Sequence, residues 1–243
     1  MRTHRVYSTH PLHPGARVLL DDNAVRHLVQ ALRLKSGDPV VLFDGSGCDY
    51  AAELVDVSKR SASAKVGDAI LDEPPLALQL HLAIGISRGE RMDFSIQKAV
   101  ELGVSQITPL FTERTQVQLK GERLSSRVDH WQGVIRHACE QSGRSRLPEL
   151  NAPLALPAWL QQFSGSGVML DHRATQALTE LPAPDGALSL LVGPEGGLSA
   201  AERELAARQG LQGVRMGPRV LRTETAPLAA LAIMQALWGD FRL

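Results

Sequence analysis

The feature that most limits what this chain can fold into is a change of pattern at Asp72-Glu73-Pro74-Pro75. Before it, short apolar runs are separated by turn residues. After it, strand-like runs alternate with helical spacings. Adjacent prolines fix φ and push the preceding residue toward an extended form, so no helix or strand continues through them. Two domains are expected, 1–72 and 76–243, a division that 243 residues accommodate.

In the first part, 17–20, 39–43 and 50–57 read as short strands. Asp44-Gly45-Ser46-Gly47 supplies turn chemistry for a hairpin between the last two. Residues 22–34 place Val25, Leu28, Val29 and Leu32 at helical spacing, with Asp21 or Asp22 as cap and Gly37 just beyond. A small barrel with one inserted helix is expected. In the second part Leu78, Leu80, Leu82, Ile84 and Ile86 alternate as in a strand, and Met92, Ile96, Ala99, Val100 and Gly103 then share a helical face. A short strand at 107–110 precedes a long helix carrying Leu124, Val128, Trp131, Ile135 and Ala138. Buried strands are expected at 168–170, 188–192 and 214–216. Ser199 with Glu202 forms a capping box, Gly210 ends that helix, and 227–238 reads as a final apolar helix. Strands alternating with helices imply an α/β fold with a mostly parallel sheet covered on both faces.

Composition removes other classes. Apolar residues at 44% and charged residues at 21% exclude disorder, collagen and coiled coil. Cys48 and Cys139 are the only cysteines, so neither a disulfide framework nor a four-cysteine zinc site is possible, and no metal is expected. They suit a reducing compartment. The start carries no apolar run of a secretory signal, and the charge-free stretch 226–238 is too short to span a bilayer. A cytoplasmic protein is expected. Basic and acidic residues balance at 26 each, so no bulk field advertises nucleic acid. Locally, residues 1–35 hold Arg2, Arg5, Arg17, Arg26, Arg33 and Lys35 against Asp21 and Asp22. That patch is either solvated surface or a grip on RNA phosphates, with Arg2, Arg5 and Arg17 as the candidates.

The signatures of P-loop ATPases, dinucleotide-binding folds, zincins and α/β-hydrolases are absent. Two unusual segments follow expected strands. LLVGPEGGLS (190–199) runs from a strand through a glycine-rich turn into a capped helix, and its glycines let backbone approach a ligand. MGPRVLRTETAPLAAL (216–231) ends a strand in Gly-Pro and then crowds Arg219, Arg222, Thr223, Glu224 and Thr225 before an apolar helix. Helix initiation accounts for Thr225 and Pro227 but not for two arginines and a glutamate in one loop.

These strings resemble a known family. HLVQALRLKSGDPVVLFDG (27–45), SRGERMDFSIQKAVELGVSQITPLFTERTQV (87–117), ACEQSGRSRLPEL (138–150), LLVGPEGGLSAAE (190–202) and MGPRVLRTETA (216–226), in this order, are similar to the type-E small-subunit ribosomal RNA methyltransferases of the SPOUT superfamily. The resemblance covers nearly the whole chain. It implies an N-terminal PUA-like β-barrel that binds RNA and a C-terminal α/β domain with a deep trefoil knot, a topology otherwise almost absent from proteins. It further implies S-adenosylmethionine as cofactor, a homodimer, and methylation of N3 of a uridine in 16S ribosomal RNA.

On this resemblance the cofactor lies between the loops 193–197 and 216–226. Leu170, Gly193, Glu195, Gly196, Met216, Gly217, Val220, Leu221, Thr223 and Ala226 are expected to contact it. The stretch around Leu170-Asp171-His172-Arg173 varies within the family, so only Leu170 is carried over and His172 has no assigned role. Uracil N3 carries a proton near neutral pH and must lose it to become a nucleophile. Arg222 is the candidate for stabilising the developing anion and Glu224 for accepting the proton. Glu224 has the alternative task of holding Arg222 or capping the last helix. A methyltransferase acting on transfer RNA, or a non-catalytic RNA-binding protein of this fold, remain the alternatives.

Overall fold

The computed structural model describes residues 4–241. They group into two compact units. One holds the residues up to Pro75 together with Arg136–Leu147, and the other holds Leu76–Ile135 and the residues from Pro148 onward. The sequence reading assigned 136–147 to the second domain. Their polar groups explain the difference. The Tyr7 amide donates to Glu140 Oε1 at 3.0 Å, and the Ser145 hydroxyl donates to Asp49 Oδ1 at 2.5 Å. The Arg146 amide donates to Glu73 Oε2 at 2.7 Å.

The first unit is a five-stranded half-barrel of β1 (His4–Tyr7), β2 (Arg17–Leu19), β3 (Pro39–Phe43), β4 (Cys48–Val55) and β5 (Ser63–Asp72). Their spatial order is β1-β3-β4-β5-β2, with β1 parallel to β3 and the other pairs antiparallel. One core fills it, including Val6, Leu28, Val40, Leu42, Leu54 and Val66. β1 and β5 were not expected from sequence. β4 ends at Val55 rather than 57, because Asp56 adopts a positive φ of 49°. The expected helix over 22–34 is shorter. α1 (Asp22–Val25), capped by Asp21 accepting from the Ala24 amide at 2.8 Å, widens into a π-helical stretch over Arg26–Ala31. Arg33, at φ 59°, lies just beyond it.

The second unit is a parallel sheet with helices. Its elements begin with β6 (Gln79–Gly85), α2 (Glu90–Glu101), β7 (Gln106–Phe111) and α3 (Glu122–Ser142, of which the part to Ile135 lies here). Then come β8 (Glu149–Leu150), β9 (Leu154–Ala155), α4 (Leu156–Gln162), β10 (Ser166–Leu170) and β11 (Ala187–Val192). α5 (Ala200–Arg208), β12 (Gln212–Val214) and α6 (Thr225–Trp238) complete it. The order is β12-β10-β11-β6-β7-β8, with β9 also on β7, and every pair is parallel. Leu80, Leu82 and Ile84 are fully buried and so is Ala83 between them, as a strand covered on both faces requires. The strand expected at 214–216 lies instead at Gln212–Val214. Arg215 leaves the ladder because its backbone bonds to the loop after β10: its amide donates to the Gln176 carbonyl, and its carbonyl accepts from Leu178.

The apolar helix α6 has a defined inner face. Ala230, Leu231 and Met234 are buried, and the buried Gln235 donates from Nε2 to the Leu102 carbonyl at 2.9 Å, where α2 ends. No helix among the described residues is long and apolar enough to cross a membrane.

Candidate functional site

The carboxyl ends of β12, β10 and β11, three neighbours in the sheet, open onto one cleft of about 240 Å³. Ligands of open parallel sheets bind at this end, where strands stop and loops are free to diverge. Leu170, Val192, Leu198, Val214, Met216 and Leu221 give it apolar walls.

Glycine shapes the loop after β11. The Gly197 amide donates to the Pro194 carbonyl at 2.8 Å and closes a four-residue turn. A Cβ on Gly193 would stand 2.8 Å from backbone atoms of Gly197 and Leu198, and one on Gly85 would stand 2.5 Å from Pro194. Both glycines therefore let backbone segments approach closer than any other residue allows. The capping box behind the turn forms as expected: the Glu202 amide donates to Ser199 Oγ at 3.1 Å, and Glu202 Oε2 accepts from the Ser199 amide at 2.8 Å.

A second loop, 216–226, forms the opposite wall. Thr223 Oγ1 donates to the Gly193 carbonyl at 3.1 Å and lies 3.3 Å from the buried Ser87 hydroxyl. The backbone amides of Gly217, Arg219, Val220 and Leu221 donate to no group among the described residues. The cleft thus combines apolar walls with unclaimed backbone donors, which suits a flat ring with a polar edge.

All ten residues expected to hold the cofactor line this cleft. Their contributions differ from the expectation in one respect. The Glu195 carboxylate is turned to the loop after β6, where Oε1 accepts from the Arg88 amide at 2.9 Å and meets the Arg91 guanidinium at 3.5 Å. Burial raises its pKa, but the Arg88 amide, its own backbone amide and Arg91 outweigh burial and the net shift is downward. Arg222 and Glu224 do not line the cleft, although Leu221, Thr223 and Ala226 beside them do. The Arg222 carbonyl caps α6 by accepting from Thr225 and Ala226. Glu224 sits at the N-cap position of α6 with no side-chain cap bond and no ion pair to Arg222. Neither alternative task considered for it is therefore present.

Sequence reasoning missed several cleft residues. Asp171 and His172 follow β10 directly and line the wall. Asp171 Oδ2 pairs with Arg203 Nε at 3.2 Å, and Arg203 also donates to the Leu198 carbonyl at 2.8 Å. Position at a strand's carboxyl end was the signal available for Asp171.

The proposed RNA patch of the first unit is altered. Arg5 is folded inward: it pairs with the buried Asp49, donates to the Arg144 carbonyl at 3.0 Å and stacks over Phe43 at 4.8 Å. It is a structural cation, because burial without those partners would leave a charge unpaired. Arg17 is exposed but pairs with Asp56. Arg2 lies outside the described residues.

The model of the RNA methyltransferase domain matches residues 74–235, and that of the RNA methyltransferase PUA domain matches 20–67. The ribosomal RNA small subunit methyltransferase E of Buchnera aphidicola subsp. Schizaphis graminum is 31% identical over 241 residues, covering 98% of both chains. This chain belongs to the ribosomal RNA small subunit methyltransferase E family. A family member from Neisseria gonorrhoeae, solved bound to S-adenosylmethionine, is 38% identical with a TM-score of 0.90, covering 99% of this chain and 100% of that one. A putative methyltransferase from Legionella pneumophila, solved with S-adenosylmethionine, superposes with a TM-score of 0.95 at 35% identity and the same coverage. The PUA-like unit and the α/β methyltransferase unit of this family are the two units described above.

Proposed function

We propose that this protein transfers the methyl group of S-adenosylmethionine to N3 of a uridine in 16S ribosomal RNA. The observation that carries the reading is the single cleft at the ends of β12, β10 and β11, lined by all ten residues the family resemblance singles out. The cleft fits the cofactor: an adenine ring needs apolar faces and polar partners at its edge, and the walls and the free amides of Gly217, Arg219, Val220 and Leu221 provide both. Leu170, Met216 and Leu221 would hold the ring, with the 193–197 turn on the facing wall, and the Thr223 bond to Gly193 ties the two loops together. When bound, S-adenosylmethionine supplies a methyl group on a sulfonium, open to attack from the side opposite the leaving sulfur.

The chain's own residues must make uracil nucleophilic. Arg222 carries an exposed guanidinium with no ion-pair partner among the described residues, on the loop that bounds the cleft. It stabilises charge that develops on the base oxygens as N3 loses its proton. Glu224, equally unpaired, takes that proton. A uridine within folded RNA leaves its stack to reach the cleft.

The reading includes a trefoil knot in the α/β unit. The backbone bonds of Arg215 to Gln176 and Leu178 support it. It includes a homodimer through α6, whose outward Leu228, Ala229, Ala232, Ile233 and Leu237 are only partly covered. A protein with this substrate works in the cytoplasm. The test is methylation of ribosomal RNA from cells lacking the gene, followed by nucleoside mass spectrometry. 3-Methyluridine in the small-subunit RNA is expected; a different methylated nucleoside, or none, contradicts the reading.

A further inference from the structure

Four arginines whose guanidinium groups have no assigned role toward the cofactor lie around the glycine-rich loop after β11. Arg88 and Arg91 follow β6, Arg114 follows β7, and Arg219 follows β12, so all four stand at carboxyl ends of the parallel strands. Contacts to two residues tie three of them to this loop, Arg88 through its backbone and Arg91 and Arg114 through their side chains. Glu195 Oε1 takes the Arg88 amide and Arg91, and Arg114 donates from its guanidinium to the Gly196 carbonyl at 2.8 Å. A Cβ on Gly196 would lie 3.0 Å from Arg114 Cβ, so the missing side chain lets Arg114 lie flat along the loop. Arg219 lines the cleft beside Glu195 and Gly196.

The charge within this cluster is unbalanced. Glu195 is neutralised by Arg91. Arg88, Arg114 and Arg219 are exposed and have no acidic partner among the described residues, and the nearby Glu90 and Glu113 carboxylates pair with none of them. The first unit differs: there Arg5 and Arg17, two of the cations expected to meet RNA, are paired with Asp49 and Asp56.

We propose that Arg88, Arg114 and Arg219 form a grip on the RNA backbone at the mouth of the cleft, holding phosphates that flank the methylated nucleotide. The inference rests on the proposed function for its ligand. Planar guanidiniums with free donors match phosphate oxygens in a way a point charge does not. Phosphate contacts set register without reading sequence, which is what a base entering a narrow cleft requires of its neighbours. The loop that bounds the cofactor cleft is thereby also the strut of the grip. Glu195 is a positioning residue in this arrangement, acting through the Arg88 amide and through Arg91 in the first turn of α2.

The test is RNA binding by the full chain at several salt concentrations, using a small-subunit ribosomal RNA fragment as probe. Wild type is compared with Arg88→Ala, Arg114→Ala, the triple Ala variant that adds Arg219, and Arg88→Lys. Each lost phosphate contact should flatten the slope of log affinity against log salt by about 0.7 for single-stranded RNA, and the triple variant by about 2. Arg88→Lys should keep the slope and lose affinity only modestly. Calorimetry should find S-adenosylmethionine affinity unchanged in Arg88→Ala, which a folding defect would not permit. A triple variant with the wild-type slope and affinity overturns the grip. Methyl transfer by the wild type, measured alongside, reports on the underlying function separately.

Discussion

Thr223 donates its hydroxyl to the Gly193 carbonyl and so joins the two loops that face each other across the cleft. The two residues are far apart in sequence, and the bond holds the wall after β12 at a fixed distance from the wall after β11. Thr223→Val keeps the shape and removes the donor. It should cost about 1 kcal/mol of stability, the usual net worth of such a bond. It should also weaken S-adenosylmethionine binding, since the loops would then have to be ordered by the ligand. Thr223→Ser should retain both. Urea unfolding and calorimetry on the same preparations check this; a Val variant that binds the cofactor as wild type does would show that the loops are held by other means.

Arg222→Ala should lower the single-turnover rate of methylation by roughly 100-fold or more, the usual loss for one donor aimed at a developing anion. Cofactor affinity should change little, because Arg222 does not line the cleft. Lys should restore part of the rate. Glu224→Gln should also lower the rate and recover as pH rises and hydroxide takes over the proton. Because Glu224 makes no cap bond to α6, this variant should unfold as wild type does. Wild-type transfer by Arg222→Ala would make that arginine a bystander.

Acid sensitivity follows from His81. Burial lowers its pKa from 6.5 to about 4, and its ring sits 2.7 Å from Thr108 Oγ1 and 3.3 Å from Ser189 Oγ. The folded pKa lies below the unfolded one, so the unfolded chain binds the extra proton. The stabilisation is therefore complete above pH 6.5 and is lost as pH falls toward 4. The size is about 3 kcal/mol across that window. His81→Gln should flatten the dependence of the unfolding midpoint on pH between 6.5 and 4. An equally steep curve in that variant would place the acid sensitivity elsewhere.

Local signals in the sequence carried the parts of the fold that depend on local chemistry. The period-two run from Leu78 to Ile86 is a strand because a parallel sheet buries both of its faces. The Ser199–Glu202 capping box formed because its donors and acceptors lie three residues apart. β5 escaped notice because only Ala64 and Val66 point inward, and the rest of its ten residues face outward or sit half-buried. The two loops that wall the cleft stood out as glycine-rich and mixed-charge strings after expected strands, whereas the individual residues assigned to the cofactor came from the family resemblance. The partners of charged groups were not legible. Arg5 meets Asp49 at a separation of 44 residues, and Glu195 meets Arg88 at 107. Whether an arginine is solvated or folded inward depends on those distant carboxylates, and one-dimensional charge counting cannot see them.

The outer face of α6 gives the last prediction. Its inner face is spoken for by Ala230, Leu231, Met234 and the Gln235 bond to Leu102. Its outer face carries Leu228, Ala229, Ala232, Ile233 and Leu237, with no charge anywhere along the helix. A helix apolar all round is normally buried all round. One unit buries only the inner face, so a second copy covers the outer one in the proposed dimer. Ile233→Asp places a charge in that outer face without touching Gln235 or the inner core. Dimer contact would then require burying an unpaired carboxylate, which costs several kcal/mol. Light scattering at micromolar concentration should give twice the chain mass for wild type and the single-chain mass for Ile233→Asp, with the unfolding midpoint of the monomer little changed. Methyl transfer should fall with the loss of the dimer. A wild-type protein of single-chain mass would leave the outer face of α6 open to solvent and refute the dimer.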